Sequence, residues 1–237
     1  ESRVKVDQID ASVWRSSLKL GAAKRGKRHL IPFDWGTEGM TFDSSIHKFM
    51  PGEVSYGHLW GDNLDGKVAG RQKSLIITLA IYLDSIGKVS SNRGMDIYKS
   101  EADMRRVFDG CLTFLKPHKK NIGAFWNNAT EATSAFTDSG CTIGQTWDTT
   151  GIKLHKDVDK KWIYTAPKEG ALGWMDTMAI PSGAENVDQE SRLRTLISAL
   201  TNLQQKFGKR MIVSVHPRTR STIDAASDPI HAVQLDL

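Results

Sequence analysis

The chain has 237 residues, of which 39% are hydrophobic and 25% are charged. This is the composition of an ordinary globular protein and excludes a disordered or fibrous chain, and the length suits one large domain or two small ones. The formal net charge is +5, but the basic residues are spread out apart from clusters at 24–28 and 116–120. Because no recognition motif accompanies either cluster, we expect solvated basic faces and no nucleic-acid partner.

The sequence carries no recognisable signal for membrane insertion, metal binding or catalysis. It has no apolar run long enough to span a bilayer, and its charged start predicts either a cytosolic product or a processed or truncated one. Zinc, phosphate-loop and nucleophile-elbow signatures are missing, so we expect no metal, no cofactor and no catalytic residue. Cys111 and Cys141 lack metal-ligand or redox spacing and form either one disulfide or two buried thiols.

The first predicted elements are strands and a helix. Residues 29–35 read as a strand that enters a turn at 36–39, and a short strand follows near 40–42. Another short strand is predicted at 67–70. The next segment, 74–86, is apolar all round, which indicates a buried helix.

The middle of the chain continues the alternation. Apolar residues at helical spacing predict a helix over 100–115 with Ser100 as its N-cap, and a shorter helix is predicted over 128–136. Strands are predicted at 141–145 and 161–164. Strands that alternate with helices indicate an α/β domain with a largely parallel sheet.

The pattern of apolar residues changes after Asp188. Apolar residues at helical spacing predict an amphipathic helix over 191–207, which Gly208 ends. A buried strand is then predicted over 209–215, ending at His216. The tail from Ser221 onward shows weak periodicity and is expected to fray.

Two pairs combine an indole ring with a carboxylate. Trp174 and Asp176 are two positions apart and would share one face of a strand, and Trp147 is followed directly by Asp148. A ring beside a carboxylate suits a small organic cation, through cation–π attraction and a charge-assisted hydrogen bond. The alternative, a buried core tryptophan with an aspartate that caps a loop, fits the spacing equally well.

Other polar groups are weaker candidates. Asp34 with Glu38, and Asp62 with Asp65, could pair as acid and base, but both pairs lie in turn-like segments where carboxylates usually cap or face water. The segment 126–128, Trp-Asn-Asn, is interpreted as a loop that lines a ligand.

Several motifs in a fixed order carry a family resemblance. They are Trp-Asp at 147–148, Pro-Lys-Glu-Gly at 167–170, the run at 173–181, and the segments 30–39 and 56–69. Over about 5–188 the chain resembles the periplasmic substrate-binding proteins of polyamine-type (spermidine/putrescine) ABC importers. The resemblance implies a non-enzymatic, periplasmic protein of type II periplasmic-binding-protein-like α/β lobes, which closes on its ligand and delivers it to a membrane permease.

The resemblance also implies a domain organisation. Residues 1–66 would be an incomplete first lobe with a hinge segment near 34–39, and residues 67–166 would form the second lobe. Residues 167–188 would return to the first lobe, and 189–237 would form a C-terminal helix–strand segment.

The resemblance implies which residues touch the ligand. Trp147 and Trp174 match the family's stacking tryptophans, and Asp176 matches its amine-binding carboxylate. Six residues are candidates in all, the last three for polar orientation: Trp147, Trp174, Asp176, Asn128, Arg71 and Glu38.

One departure bears on the ligand. Where the family's polyamine binders place carboxylates, this chain has Arg71 and Lys73. A basic side chain there would repel a second ammonium, which favours a monoamine or a zwitterion. Polyamine-like, amino-acid-like and opine-like ligands all stay open.

The last fifth resembles a different family. Residues 185–188, 191–207 and 213–220 look like non-hydrolysing UDP-N-acetylglucosamine 2-epimerases, whose GT-B fold has Rossmann-like halves. The alternative function is therefore a fragment of such an enzyme acting on nucleotide sugar. Residues 185–188 look like a splice point, and the chain is either a chimera or a mosaic of incomplete pieces. The family's catalytic His-Arg is replaced here by Ser182 and Gly183, while His216 matches its His-Pro-Arg-Thr histidine or is a structural hydrogen-bonding residue.

Overall fold

The structure is a computed structural model that describes residues 10–19, 21–179, 211–216 and 219–224. Its contacts divide the chain into two compact units, one of residues up to Gly36 and from Gly173 onward, the other of Thr37–Leu172. The described helices are α1 Ala11–Lys19, α2 Gln72–Ser85, α3 Glu101–His118, α4 Ala129–Thr137 and α5 Asp148–Lys153. A π-helical turn, Leu154–Val158, continues α5, and 3₁₀ helices lie at Tyr56–Trp60, Met95–Tyr98 and Lys119–Asn121.

The described strands fall in both units. They are β1 Ala23–Lys24, β2 Lys27–Arg28, β3 Ile31–Asp43, β4 Val68–Gly70, β5 Ile122–Phe125, β6 Ile143–Trp147, β7 Trp162–Thr165, β8 Leu172–Met178, β9 Met211–His216 and β10 Thr219–Asp224.

The sheet of the unit Thr37–Leu172 has the strand order β5-β4-β6-β3-β7. Strand β4 pairs in parallel with β5 and β6, whereas β3 runs antiparallel to β6 and β7. The α/β class is confirmed, but the sheet is mixed and not largely parallel. Sequence alternation of strands and helices could not show this, because β3 precedes β4 to β7 in the chain and yet is inserted between β6 and β7.

Helices cover both faces of this sheet, and successive strand residues, which point to opposite sides, contribute to a different apolar cluster on each face. One apolar cluster joins α2 and α3 to Met40, Val68 and Ile143, and the other joins α4 to Ala69 and Trp162. The predicted helices are confirmed at α2, α3 and α4. Their local signals are clear, since Ser100 and Asn128 each cap a helix by accepting a backbone N–H three residues on.

The predicted turn at 36–39 is wrong, since β3 runs unbroken from Ile31 to Asp43. Gly39 does not form a turn; its missing side chain lets β3 and β7 lie close together. A Cβ atom there would lie 2.8 Å from the carbonyl oxygen of Thr165 and 2.8 Å from the hydroxyl of Tyr164. The interpretation of Asp34 and Glu38 as turn residues is wrong for the same reason.

The two cysteines are free, buried thiols, which settles the alternatives that the sequence left open. Burial raises the pKa of Cys111 to about 11 and also raises the pKa of Cys141. Both thiols are therefore protonated and unreactive at neutral pH.

The other unit contains α1, the β1–β2 hairpin, and β8, which pairs with β3. The guanidinium of Arg28 lies 3.4 Å from the centre of the Trp14 ring and donates to Ser17 Oγ at 2.7 Å. Arg28, a member of the basic cluster 24–28, therefore contacts α1 of the same unit.

The predicted C-terminal strand is confirmed at β9, but β10 pairs with it antiparallel over Thr219–Asp224. The expectation that the tail frays from Ser221 is wrong as far as Asp224. The predicted Rossmann-like character of this segment has no support, because β9 and β10 form an antiparallel hairpin, whereas a Rossmann-like fold joins parallel strands by crossover helices. The predicted helix over 191–207 lies outside the described residues.

Candidate functional site

Three parallel strands end at one edge of the sheet, and each is followed by a helix. Gly70 ends β4 before Arg71, the N-cap of α2; Phe125 ends β5 before Asn128, the N-cap of α4; and Trp147 ends β6 before α5. The crevice outside the carboxyl ends of such strands is where α/β sheets bind ligands. The polar side chains at this edge are therefore the candidates for a site.

Glu38 reaches the same edge from β3, because β3 runs antiparallel to β6 and places Glu38 directly opposite Trp147. The indole Nε1 of Trp147 donates to Glu38 Oε1 at 2.7 Å. The guanidinium of Arg71 approaches the same oxygen at 3.5 Å. The structure thus brings together three of the six predicted site residues.

The second carboxylate oxygen of Glu38 is the most informative atom of this cluster. The residue is 5% exposed, and its Oε2 is buried with no hydrogen-bond partner among the described residues. A buried acceptor without a donor costs about 1–3 kcal/mol, and more when it is charged. The cluster therefore offers an acceptor that suits an ammonium donor.

Arg71 is placed to influence that acceptor. Its side chain makes no cap hydrogen bond to α2, and its guanidinium carbon lies 5.5 Å from the centre of the Trp147 ring. This distance is within cation–π range. Arg71 is 36% exposed in its side chain, so it borders solvent while Glu38 does not.

The ring of Trp147 packs edge-to-face against the ring of Trp126. The two ring centres are 4.9 Å apart at an interplanar angle of 70°, and Trp126 Nε1 donates to the carbonyl oxygen of Gln145 at 2.9 Å. Trp126 is fully buried. The interpretation of Trp126 as a residue that lines the ligand is therefore wrong; it is a packing residue that orients Trp147.

The predicted pairing of Trp147 with Asp148 is also wrong. Asp148 is buried and its Oδ2 accepts from Thr37, at 2.8 Å from the backbone nitrogen and 3.1 Å from the hydroxyl. Neighbouring residues at the end of a strand point to opposite sides. The carboxylate that accompanies Trp147 is Glu38.

Tyr56 and Glu169 support Glu38, and the residue patterns alone gave neither a role. The Tyr56 hydroxyl donates to the backbone oxygen of Glu38 at 3.3 Å. Burial, reinforced by the charges of Glu38 and Glu169, raises the pKa of Tyr56, so the hydroxyl keeps its proton. Glu169 accepts from the Ser55 hydroxyl and from the backbone nitrogen of Tyr56, the latter at 3.2 Å. The only sequence signal was that both lie in motifs of the resemblance.

Asn128 is the exposed N-cap of α4, and its side-chain oxygen accepts from the backbone nitrogen of Glu131 at 2.9 Å. That bond is the helix cap. A role of Asn128 in ligand binding stays a prediction. Of the second acidic pair, Asp65 lies 3.0 Å from Lys120 in a surface ion pair.

Trp174 and Asp176 lie in β8, in the other unit. Because β8 is a strand, the two side chains point to the same face, as predicted. Asp176 is exposed, and Trp174 has a buried Nε1 without a hydrogen-bond partner among the described residues. Their role toward a ligand stays a prediction.

Among the described residues, no three side chains of His, Cys, Asp or Glu stand close enough to hold a metal ion. The helices of that part of the chain are each too short or too polar to cross a bilayer.

No protein-family model matches the chain. It is 25% identical over 171 residues to a curated protein, spermidine/putrescine-binding periplasmic protein 1 of Haemophilus influenzae. The match covers 71% of this chain but only 43% of that relative. The chain thus spans less than half of the relative's length.

Solved structures show the same fold at lower identity. The spermidine/putrescine ABC transporter substrate-binding protein PotD of Streptococcus pneumoniae matches with a TM-score of 0.57 and 17% identity, over 86% of this chain and 57% of that one. The TpPotD lipoprotein of Treponema pallidum matches with a TM-score of 0.58 and 13% identity, over 83% and 57%. The binding protein AfuA of Actinobacillus pleuropneumoniae, solved with fructose-6-phosphate, matches at 0.55 and 16%, over 86% and 58%.

These matches show a mixed α/β fold of the periplasmic-binding-protein kind. The relatives are named as binding or transport proteins and not as enzymes. They give no support to the resemblance of the C-terminal segment to UDP-N-acetylglucosamine 2-epimerases.

Proposed function

We propose that the chain is part of the solute-binding component of an ABC importer and binds a small cationic or zwitterionic compound without chemical change. The observation that carries this proposal is the buried Oε2 of Glu38, which lacks a donor beside the Trp147 ring. The names of the relatives support a polyamine-like or amine-bearing ligand. A periplasmic location and a membrane permease as partner belong to the same proposal.

In this proposal Glu38 accepts a hydrogen bond from the ligand's ammonium, and the Trp147 ring supplies apolar and π contact. The N–H of Trp147 is already used by Glu38, and the guanidinium carbon of Arg71 lies 5.5 Å from the ring centre, so the ligand would contact the ring beside Arg71. Trp174 and Asp176, which lie in the other unit, stay separate candidates for a ring contact and an ammonium contact with the ligand.

Calorimetric titration of the chain with putrescine, spermidine, 4-aminobutyrate and larger amino-acid-like ligands tests the proposal. We expect saturable heat with at least one of them. Far-UV circular dichroism of the same sample shows that the protein is folded. No heat from any of these ligands in folded protein would contradict the proposal.

A further inference from the structure

Glu38 and Arg71 place two opposite charges side by side at the carboxyl-end edge. Glu38 carries one negative charge and Arg71 one positive charge, with 3.5 Å between Glu38 Oε1 and the Arg71 nitrogen NH1. Resting on the function proposed above, we propose that the site selects a small zwitterion over a diamine, and that Arg71 determines this specificity.

The acceptor half of the recognition is Glu38 Oε2. The other oxygen already receives the Trp147 indole N–H at 2.7 Å and faces Arg71. Oε2 is buried and has no hydrogen-bond partner among the described residues. It is the position for the ammonium of a ligand, which gives the buried oxygen the donor that it lacks.

The donor half is Arg71. A guanidinium has five N–H donors in a planar fork, and the contact with Glu38 uses one nitrogen. The side chain is partly exposed at 36%, so the rest of the fork can meet a ligand from solvent. A ligand carboxylate there would form a charge-assisted pair, whereas an ammonium would meet a like charge.

A second buried donor lies on the same face of the sheet. Gln145 precedes Trp147 by two residues in β6 and therefore points to the same side as Trp147 and Glu38. It is fully buried, and its Nε2 has no hydrogen-bond partner among the described residues. The face thus combines an unpaired acceptor, Glu38 Oε2, with an unpaired donor, Gln145 Nε2, which matches a molecule that carries both an ammonium and an acceptor group.

The contact between Glu38 and Arg71 also limits the ligand's length. Because the two charged groups touch, a ligand that pairs with both must carry its own charges on a short chain. A long polyamine would leave an ammonium opposite Arg71. The matching ligand class is a short amino acid with zero net charge.

The test is calorimetric titration with four ligands of equal chain length: 4-aminobutyrate, putrescine, 1-aminobutane and succinate. We expect 4-aminobutyrate to bind about tenfold or more tightly than putrescine, because one charge-assisted pair replaces one repulsion. Arg71→Gln should weaken 4-aminobutyrate about 10- to 100-fold without weakening 1-aminobutane. Arg71→Glu should make putrescine the preferred ligand.

Arg105→Gln is the matched control, because it removes the same charge from an exposed pair with Glu101 and should leave all four affinities unchanged. Putrescine binding to the wild type as tightly as 4-aminobutyrate would overturn the inference but leave the proposed function standing. The same ligand ranking in folded Arg71→Glu would also overturn the inference. No binding of any of the four, or of spermidine, to folded wild type would contradict the proposed function itself.

Discussion

The indole nitrogen of Trp147 and the carboxylate of Glu38 are joined by a hydrogen bond of 2.7 Å, although 109 positions separate them in the chain. The antiparallel pairing of β3 with β6 places them opposite each other. The bond fixes one carboxylate oxygen and the plane of the ring together. It leaves the second, buried oxygen without a hydrogen-bond donor among the described residues.

Glu38→Gln keeps the shape of the side chain and removes its charge. We expect the affinity for an ammonium-bearing ligand to fall by about 1–1.5 kcal/mol, because a charge-assisted hydrogen bond becomes a neutral one. Calorimetric titration measures this change. Glu101→Gln, which alters an exposed pair with Arg105, is the control and should bind as the wild type does. Equal affinities in Glu38→Gln and the wild type would exclude Glu38 from the site.

Asp176→Asn tests the other carboxylate by the same substitution. If Asp176 takes an ammonium, its loss costs about 1.5–3 kcal/mol of affinity. Asp176 is exposed in β8, so the thermal unfolding midpoint should change little. An unchanged affinity would give Asp176 a role other than ligand binding.

Gly39→Ala tests why β3 carries a glycine where the sequence suggested a turn. A Cβ there meets the Thr165 carbonyl oxygen at 2.8 Å, so the substitution should cost about 1–3 kcal/mol of unfolding free energy through overpacking. Gly61→Ala is the control, since its nearest neighbours would be 3.9 Å away and its φ is −71°. Urea unfolding curves compare the two variants. Equal stability of Gly39→Ala and Gly61→Ala would contradict the close approach of β3 and β7.

The sequence predicted α2, α3 and α4 well because their signals are local. Capping residues and apolar periodicity lie within a few positions of one another, and Ser100 is an example. The course of β3 was mispredicted because glycine marks both turns and close backbone contacts. Only the packing against β7 distinguishes the two cases at Gly39.

The sequence singled out three residues that the structure brings together, but it did not predict how they are arranged. Glu38, Arg71 and Trp147 were each singled out, yet the sequence paired Trp147 with Asp148 because the two are adjacent. Strand geometry turns neighbours to opposite sides and brings distant residues together. The contacts of Tyr56 and Glu169 depend on the same long-range packing and had no local signal.

His58 should make stability depend on pH. Burial lowers its pKa below the ordinary 6.5, helped by the charge of Lys168 and opposed by those of Glu169 and Glu53. The folded protein therefore takes up this proton less readily than the unfolded chain. The stability is fully present above pH 6.5 and is lost as the pH falls through the lower folded pKa.

His58→Gln separates this titration from the structural role. Ser55 donates its backbone N–H to His58 Nδ1 at 3.2 Å, and glutamine can accept the same bond in a capping box. We expect similar unfolding free energies at pH 8 and a shallower decline on acidification in the variant. Parallel curves of unfolding free energy against pH for the two proteins would show that His58 does not contribute.

The most direct test of the site is the response of the indole N–H signals in a nuclear magnetic resonance titration with 4-aminobutyrate. The chain has seven tryptophans, and Trp147→Phe identifies the signal of Trp147. A ligand ammonium at Glu38 changes the acceptor of that N–H, so we predict a saturable shift of the Trp147 signal, a smaller shift for Trp126, and none for Trp162, which packs on Phe136. A Trp147 signal that stays unchanged at ligand concentrations that saturate binding would contradict binding of the ligand's ammonium at Glu38.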